Sequence, residues 1–309
     1  MPRAILIGFE YTFNALTGAI IDIYNGYTWC NTFGSKISIL TDIEKMRDKE
    51  HRQTMIEQRI SHDNINKFLD TNMIIVKNGK ILEESIMIVL KGGIEDKKLI
   101  IYYSGHGVKD SMVMPDKTLY SFIKFRDLVL NNVNRDIEIF WILDCCNPNG
   151  MNLAYKLERN QYVLSGKKIE YVLQPILLIT SSEAEEKSIA TKYGSIFSRN
   201  LFMILTALNK KEIDKNTNVI PINKNRNLRR LIGNLASAIR KMHTGYAQTV
   251  SIYSSYVMDP ILWMWIGSNK EYDIVADMSL SVLIIRNYKE EKEENGGMIN
   301  PYDELYPEK

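Results

Sequence analysis

Three apolar segments of the sequence end in side chains that could carry out chemistry: carboxylates, an imidazole and thiols. The residues that follow these segments are Thr41 and Asp42, then Ser104, Gly105, His106 and Gly107, and finally Asp144, Cys145 and Cys146. A thiol becomes a strong nucleophile when it loses its proton, and a neighbouring imidazole favours that loss. The same imidazole can then protonate a leaving amine. Together, these residue types point to acyl transfer by a cysteine and a histidine.

These side chains can meet only if the segments before them are neighbouring strands of one sheet. Apolar runs typical of strands occupy residues 4–8, 36–40, 99–103, 137–143, 176–180 and 248–254, with a candidate last strand at 282–285. Helical spacing of apolar residues predicts helices over 16–29, 64–69, 81–90, 119–130, 195–208 and 227–242, and residues 43–61 are a polar loop or an exposed helix. The alternation of strands and helices predicts an α/β fold with a mainly parallel sheet.

In a parallel sheet, binding sites form beyond the carboxyl ends of the strands. Neighbouring strands lie about 4.8 Å apart, so His106, Cys146 and the nearby aspartates are expected to converge at one edge. Glycines on both sides of His106 allow the main chain to turn sharply and to bring an N–H group close to a substrate. Such an N–H group, together with that of the nucleophile, can hold a developing oxyanion.

The composition fits a soluble globular protein. The chain has 309 residues and a net charge of +2, from 39 Lys and Arg against 37 Asp and Glu, so it lacks the basic excess typical of nucleic-acid-binding domains. Hydrophobic residues make up 45% and charged residues 25%, which excludes a chain disordered throughout. The longest apolar runs are shorter than the roughly 20 residues that cross a bilayer. We therefore expect a soluble, cytoplasmic monomer that binds neither nucleic acid nor membrane.

The three cysteines, Cys30, Cys145 and Cys146, do not form a disulfide framework. Their number is odd, and adjacent cysteines rarely bridge because the disulfide geometry strains the backbone. Four closely spaced zinc ligands are also missing. We expect a reducing compartment, with Cys30 and Cys145 packed in the core.

Two segments of the chain resemble the caspase-like cysteine peptidases, and specifically the metacaspases. IIYYSGHG, at residues 100–107, is similar to the strand of that family that ends in Tyr-Ser-Gly-His-Gly, and WILDCC, at 141–146, is similar to the strand that ends in Asp-x-Cys. Weaker matches stand in the family's order between Arg3 and Ser255: AILIGFEYTFNALTGAIID, ISILTD, YGSIFSRNLFMIL and YAQTVSIYSS. The resemblance implies a caspase-like three-layer α/β/α sandwich around a mainly parallel central sheet of about six strands.

The resemblance also implies how the chain is organised. Residues 1–287 would form a single caspase-like domain, followed by a flexible charged tail at 288–309. Within the domain, residues 1–150 correspond to a large subunit with the His and Cys, residues 171–287 correspond to a small subunit, and residues 151–170 connect them. Basic residues between 156 and 168 would be self-cleavage sites that control activity, and a covering segment is the alternative means of control.

Carried over residue by residue, the resemblance implies a Cys-His dyad. His106 matches the catalytic histidine and Cys146 the nucleophile, and the backbone N–H groups of Gly107 and Cys146 match the oxyanion hole. The residues that match the family's acidic pocket for Arg or Lys are Asp42, Ser104 and Asp144. Two carboxylates select a guanidinium or ammonium group and repel a substrate aspartate. The implied function is an endopeptidase that cleaves protein or peptide substrates after Arg or Lys through an acyl-enzyme.

Several alternatives stand beside these assignments. Asp42 is also placed to cap a helix over 43–46, Ser104 to satisfy local backbone, and His106 to form a structural turn. Residues 147–150, Asn-Pro-Asn-Gly, replace the His-Ser-Gly that usually follows the cysteine of the family. The alternative function is therefore a catalytically silent caspase-like scaffold or assembly protein. A third option is another His/Cys peptidase of the same clan with a different specificity.

Many metacaspases are activated by calcium, which they bind with carboxylates after the catalytic histidine and cysteine. Here the loop after His106 contains Asp110 and Asp116 but no acidic cluster, and residues 152–157 contain no Asp. Calcium takes at least about six oxygen ligands, several of them carboxylate. We therefore expect no metal site, no cofactor and no dependence on calcium.

Overall fold

The structure is a computed structural model that describes residues 1–44, 49–158, 161–166, 169–213, 235 and 248–256. Its strands are β1 (Arg3–Gly8), β2 (Lys36–Thr41), β3 (Met73–Ile75), β4 (Lys98–Ser104), β5 (Gly107–Val108), β6 (Ser111–Val113), β7 (Leu119–Ser121), β8 (Glu138–Asp144), β9 (Tyr155–Glu158), β10 (Gln161–Leu164), β11 (Ile176–Thr180), β12 (Ala190–Thr191), β13 (Gly194–Ser195) and β14 (Ser251–Ser254). Its helices are α1 (Ala19–Asn31), α2 (Lys49–Glu57), α3 (His62–Leu69), α4 (Gly79–Lys91), α5 (Phe122–Asn131) and α6 (Ile196–Ile213).

The described residues form a nine-stranded central sheet in the order β10-β9-β14-β11-β8-β4-β1-β2-β3. The six strands from β3 to β11 run parallel to one another. Strands β14, β9 and β10 extend this parallel part with antiparallel pairs. The predicted α/β fold with a mainly parallel sheet is therefore confirmed. Strand β14 matches the strand expected at 248–254, and β3, β9 and β10 enlarge the expected sheet of about six strands.

Helices cover both faces of the sheet, as the three-layer prediction requires. On one face, α1 and α6 pack on alternate strand residues such as Leu6 and Tyr102. On the other face, α4 and α5 pack on the residues between them, such as Ile7 and Tyr103. All residues of β1 are buried, because a central parallel strand has a helical layer on each side. Two hydrophobic cores thus fix the sheet, and with it the ends of its strands.

Two elements near β4 differ from the sequence prediction. The helix predicted over 119–130 begins at Phe122, because Ser121 caps it by accepting hydrogen bonds from the N–H groups of Ile123 and Lys124. The residues before that cap form β7, which completes a small three-stranded sheet with β5 and β6. Strand β3, which was not predicted, is a three-residue strand at the edge of the central sheet.

The connection between the two halves of the chain contains two strands that were not predicted. It contains the hairpin of β9 and β10, which pairs with β14 and so belongs to the central sheet. Within β9, Lys156 forms ion pairs with Glu183 at 2.6 Å and Glu158 at 3.4 Å, and its side chain is only 16% exposed. Lys156 is therefore shielded, unlike an exposed cleavage site.

Some predicted elements lie outside the described residues. They are most of the helix over 227–242, the strand at 282–285 and the tail from 288. The polar stretch 43–61 contains helix α2, although residues 45–48 are outside the description. The three cysteines are buried and free. Among the described helices, none combines the length and apolar character that a membrane crossing requires.

Candidate active site

His106 and Cys146 follow the carboxyl ends of two neighbouring strands. The last register pair between β4 and β8 is Ser104 with Asp144, and His106 and Cys146 each come two residues later. The N–H group of Gly105 continues the contact by donating to the carbonyl of Asp144 at 3.2 Å. The pairing of the two strands therefore brings the candidate histidine and cysteine to the same edge of the sheet.

Gly107 allows the chain after His106 to pass directly against the cysteine segment. A Cβ atom at position 107 would lie 2.2 Å from the carbonyl oxygen of Cys146 and 2.9 Å from the sulfur of Cys145. Neither distance is compatible with a real side chain, and the first obstacle is rigid backbone. Glycine is thus required here for close approach, as the sequence pattern around His106 suggested.

The N–H group of Gly107 points out of the small sheet. The carbonyl of His106 accepts a hydrogen bond from Val113 N–H at 3.0 Å, and Gly107 is the next residue in register, opposite Met112. Bonded and non-bonded pairs alternate along an antiparallel ladder, so Gly107 and Met112 form a non-bonded pair. The Gly107 N–H group therefore points away from β6.

The hydrogen bonds of the His106 ring define its tautomer. Its Nε2 lies 2.7 Å from the backbone carbonyl oxygen of Asn14. A carbonyl oxygen only accepts, so Nε2 carries the proton and Nδ1 is the basic nitrogen of the neutral ring. The side chain is fully buried, and this burial lowers the pKa of His106 below its ordinary value of 6.5, partly opposed by the bond to Asn14. The ring is therefore neutral and basic at Nδ1 near neutral pH.

Two tyrosines hold the main chain of His106. The N–H group of His106 donates to the Tyr11 hydroxyl at 2.8 Å, and the Tyr103 hydroxyl donates to the carbonyl of His106 at 2.8 Å. The Tyr11 ring also stacks on the imidazole, with centroids 4.6 Å apart and planes 30° apart. A Cβ atom on Gly105 would lie 2.5 Å from one hydroxyl oxygen and 2.7 Å from the other, so glycine makes room for both phenols.

The structure joins Ser104 and Asp144 to a second acidic residue, Asp22. The Ser104 hydroxyl donates to the Asp22 carboxylate at 3.0 Å. Asp22 also accepts from the N–H group of Ser195 at 2.8 Å, and Asp144 accepts from the hydroxyl of Ser198. Both carboxyl groups are buried in this serine-rich cluster.

Burial dominates the electrostatics of the two carboxyl groups. It raises the pKa of Asp22 well above its ordinary 3.8, and the charge of Asp144 raises it further. Burial also raises the pKa of Asp144, while hydrogen bonds from Ser195 and Ser198 oppose the shift. Two carboxylates that are costly to ionise together would be stabilised by a cation between them.

Asp42 has different partners from Ser104 and Asp144. Its carboxylate accepts hydrogen bonds from the N–H groups of Glu10 and Tyr11, each at 2.8 Å. It follows β2, which is separated from β4 by β1. The structure therefore places Asp42 against the loop that follows β1.

The search of strand ends missed Asp22 because this residue is carried by a helix. Asp22 lies in the first turn of α1, four positions after Gly18. A Cβ atom on Gly18 would lie 2.1 Å from the carbonyl oxygen of Thr191, so glycine lets the helix start pack against β12 and β13. The sequence signal for Asp22 was its place at the end of the segment AILIGFEYTFNALTGAIID, one of the weaker matches in the family resemblance.

Cys146 is covered by the segment 183–189, here called the covering segment. The N–H group of Ser188 donates to the Cys146 sulfur at 3.2 Å, and the Ser188 hydroxyl donates to the Asp144 carboxylate at 2.7 Å. Cys146 is only 3% exposed. Glu186 fastens the segment, since its carboxylate accepts from the N–H and hydroxyl groups of Thr249, each at 2.8 Å. The sulfur and the acidic cluster are therefore both engaged by one serine.

The loop after Cys146 is anchored although it departs from the family pattern. Asn147, Met151 and Asn152 adopt left-handed backbone conformations with φ of 50°, 50° and 56°. The buried guanidinium of Arg126 donates to the Met151 carbonyl at 2.6 Å and pairs with Glu170. Asparagine tolerates the left-handed region better than most residues, which fits two of these positions.

No group of three or more potential metal ligands is assembled in the part of the chain that the structure describes. Asp110 occupies the turn between β5 and β6 with a φ of 62°. Asp116 accepts from the N–H and hydroxyl groups of its neighbour Thr118. The Asp110 carboxylate accepts a hydrogen bond from the side chain of Asn149, so the two carboxylates have separate partners.

The sequence matches no protein-family model and no curated protein. Among solved structures, the chain is similar to protein GSU0716 from Geobacter sulfurreducens, with a TM-score of 0.50 and 13% identity, over 84% of this chain and 95% of that chain. It is also similar to caspase-1 from Spodoptera frugiperda, with a TM-score of 0.49 and 14% identity, over 84% of this chain and 88% of that chain. At 13% identity, the likeness to the Geobacter protein concerns the fold alone.

Proposed function

We propose that this chain is a metacaspase-like cysteine endopeptidase that cleaves after Arg or Lys. The observation that supports the proposal is the register of β4 and β8, because it brings His106 and Cys146 to the same edge of the sheet, two residues beyond the paired residues Ser104 and Asp144. The sequence resemblance assigns the same two residues as base and nucleophile.

In the first half of the reaction, Nδ1 of His106 takes the proton of the Cys146 thiol. The hydrogen bond from Nε2 to the Asn14 carbonyl keeps Nδ1 unprotonated and ready for this step. The thiolate attacks the substrate carbonyl carbon, and the N–H groups of Gly107 and Cys146 hold the resulting oxyanion. His106 then returns the proton to the leaving amine as the C–N bond breaks, which leaves an acyl-enzyme.

In the second half, water replaces the amine. His106 takes a proton from the water as its oxygen attacks the acyl carbon. The C–S bond breaks, the acid product leaves, and the proton passes to the thiolate of Cys146. No external oxidant or cofactor enters this balance.

The pocket for the basic side chain is proposed to consist of Asp22, Ser104 and Asp144. These three residues are linked through hydrogen bonds and strand register, whereas Asp42 binds the loop after β1. A guanidinium placed between two carboxylates would relieve the burial penalty that raises their pKa values. To admit it, the hydroxyl of Ser188 must leave Asp144.

The direct test is capture by an irreversible peptide inhibitor with an arginine beside its electrophile. The wild-type protein should be labelled at Cys146, and Cys146→Ala should not. An inhibitor with aspartate in the same position is the matched control and should label far more slowly. Equal labelling by both inhibitors would overturn the proposed specificity.

The second candidate function is a catalytically silent caspase-like scaffold. The observation in its favour is the covering of Cys146, whose sulfur is bound by the main chain of Ser188. A scaffold would resist the inhibitor but still present an intact fold. Absence of labelling at Cys146, in a protein whose thermal unfolding remains cooperative, would favour this candidate over the peptidase.

A further inference from the structure

We propose that Asp42 and Tyr11 are positioning residues for His106. Asp42 fixes the main chain of the loop that follows β1, and Tyr11 transmits this constraint to the imidazole. The inference rests on the proposed peptidase function, because it concerns the residue assigned there as the base. It gives Asp42 a task other than that of a pocket wall.

Asp42 holds the loop that follows β1 by its main chain. The two oxygens of its carboxylate accept hydrogen bonds from Glu10 N–H and Tyr11 N–H, one on each oxygen. Tyr11 has a φ of 61°, in the left-handed region that a bulky residue rarely adopts. Bonds from backbone N–H groups to a carboxylate are stronger than neutral ones and can hold such a conformation. The Glu10 side chain adds a second tether, through His51 on α2 at 2.7 Å.

The loop in turn contacts His106. Tyr11 accepts the His106 N–H group, covers one face of the ring, and donates its own proton to the Val113 carbonyl at 2.9 Å. Three residues further along the loop, the carbonyl of Asn14 binds Nε2 of the imidazole. The main chain, the ring face and one ring nitrogen of His106 are thus all held by the same loop.

The contact between the loop and His106 has a chemical consequence. If the loop relaxes, the Asn14 carbonyl leaves Nε2 and the ring can carry its proton on Nδ1 instead. That tautomer cannot accept the proton of Cys146 through Nδ1. Loss of Asp42 should therefore slow the chemical step for every substrate and leave the choice of the cleaved residue unchanged. Loss of a pocket wall would do the opposite.

The test compares Asp42→Asn and Tyr11→Phe with the matched control Asp116→Asn. Asp116 is an exposed aspartate whose hydrogen bonds to other described residues stay within its own turn. Nitrogen NMR of the protein with labelled histidine reports the tautomer of His106, and peptide assays give kcat and KM for substrates with Arg or a neutral residue at the cleaved position. The chain has only 4 histidines, which makes the assignment practicable.

For Asp42→Asn we expect a mixed His106 tautomer and a fall in kcat of about 10- to 100-fold, because small misplacements of catalytic groups have effects of this size. KM and the preference for Arg should stay near wild type. Tyr11→Phe should change the tautomer and kcat in the same direction. If Asp42→Asn does not fold, the measurements on Tyr11→Phe test the proposal. Asp116→Asn should match wild type in every measurement.

An unchanged tautomer and kcat in both folded variants would overturn the inference. A raised KM confined to Arg substrates in Asp42→Asn would overturn it in favour of the pocket assignment. If the wild type turns over no peptide and Cys146 resists labelling, the peptidase proposal fails. The NMR tautomer then decides by itself whether Asp42 and Tyr11 position the imidazole.

Discussion

The backbone N–H group of Ser188 lies 3.2 Å from the sulfur of Cys146 and donates to it. An N–H donor directs the sulfur toward the plane of the peptide between Lys187 and Ser188. A nucleophile must instead approach a carbonyl carbon from above or below that plane. The Cys146 thiol also lies 3.8 Å from the Ser188 carbonyl oxygen, so the main chain of the covering segment engages the sulfur through both groups of Ser188.

Weakening the covering segment should make Cys146 more reactive. Ser188→Ala removes the hydroxyl that donates to Asp144, and a hydrogen bond to a charged group contributes about 1.5–3 kcal/mol. We expect the rate of Cys146 alkylation by iodoacetamide to rise by about tenfold, the lower end of that range. Ser35→Ala is the matched control and should leave the rate unchanged. Ser35 precedes the amino end of β2, so it lies at the edge of the sheet opposite to the one that carries Cys146. Equal rates in both variants would show that Ser188 does not restrain the site.

The buried imidazole predicts the acid limb of the activity profile. The pKa of His106 lies below 6.5, so the neutral base persists to more acidic pH than for an exposed histidine. The midpoint of the acid limb of kcat/KM should therefore fall below pH 6.5. His62→Gln, at an exposed position, should leave this midpoint unchanged. A midpoint above that value would contradict the assignment of His106 as a buried neutral base.

The same shift predicts how stability depends on pH. The unfolded chain binds a proton at His106 near pH 6.5, whereas the folded protein does so only at lower pH. Between these two values the unfolded state holds more protons, so the free energy of unfolding decreases as the pH falls. Thermal unfolding of wild type should show a steeper loss of Tm on acidification below pH 6.5 than that of His106→Gln.

The buried carboxyl groups of Asp22 and Asp144 should lower the thermal stability of the protein and at the same time favour binding of Arg substrates. Replacement of either residue by Asn removes a buried negative charge that the fold disfavours, as the raised pKa values indicate. We expect Tm to rise in Asp22→Asn and Asp144→Asn. We expect kcat/KM for Arg substrates to fall by about 10- to 100-fold, because hydrogen bonds to a charged group are lost.

Asp116→Asn provides the control for this pair of changes. It is the same substitution at an exposed turn, so it should alter neither Tm nor the preference for Arg. A fall in Tm for both pocket variants, with unchanged cleavage of Arg substrates, would contradict the pocket made of Asp22 and Asp144.

The parallel part of the sheet was predictable because its central strands are buried between helical layers on both faces. Each of them therefore appears in the sequence as an uninterrupted apolar run. Residues 137–143, for example, were expected as a strand and appear as β8. The hairpin of β9 and β10 was not predictable in this way. Its polar sequence pairs with β14, a strand almost a hundred residues later, and local patterning carries no information about such a partner.

The site was predictable only as far as strand ends determine it. The sequence predicted that His106 and Cys146 follow neighbouring strands, and β4 and β8 do pair directly, as far as Ser104 with Asp144. It assigned no task in the site to Asp22, which reaches the cluster from a helix, or to Ser188, which reaches it from a loop. These contacts depend on how separate elements pack, and for Asp22 on the absence of a side chain at Gly18.

Activity should not require calcium. In the described part of the chain no three potential ligands come together. The Asp110 carboxylate accepts a hydrogen bond from Asn149, and that of Asp116 accepts from Thr118. Calcium takes at least about six oxygens, so two separated carboxylates would bind it weakly. We expect the same rate of Arg-peptide cleavage, or of inhibitor capture at Cys146, in excess chelator and in added calcium. The paired variant Asp110→Asn with Asp116→Asn should behave like wild type in both conditions. A large activation by calcium that this double variant loses would show that the loop after His106 does assemble a metal site. Calcium binding, and not the covering segment alone, would then control access to Cys146.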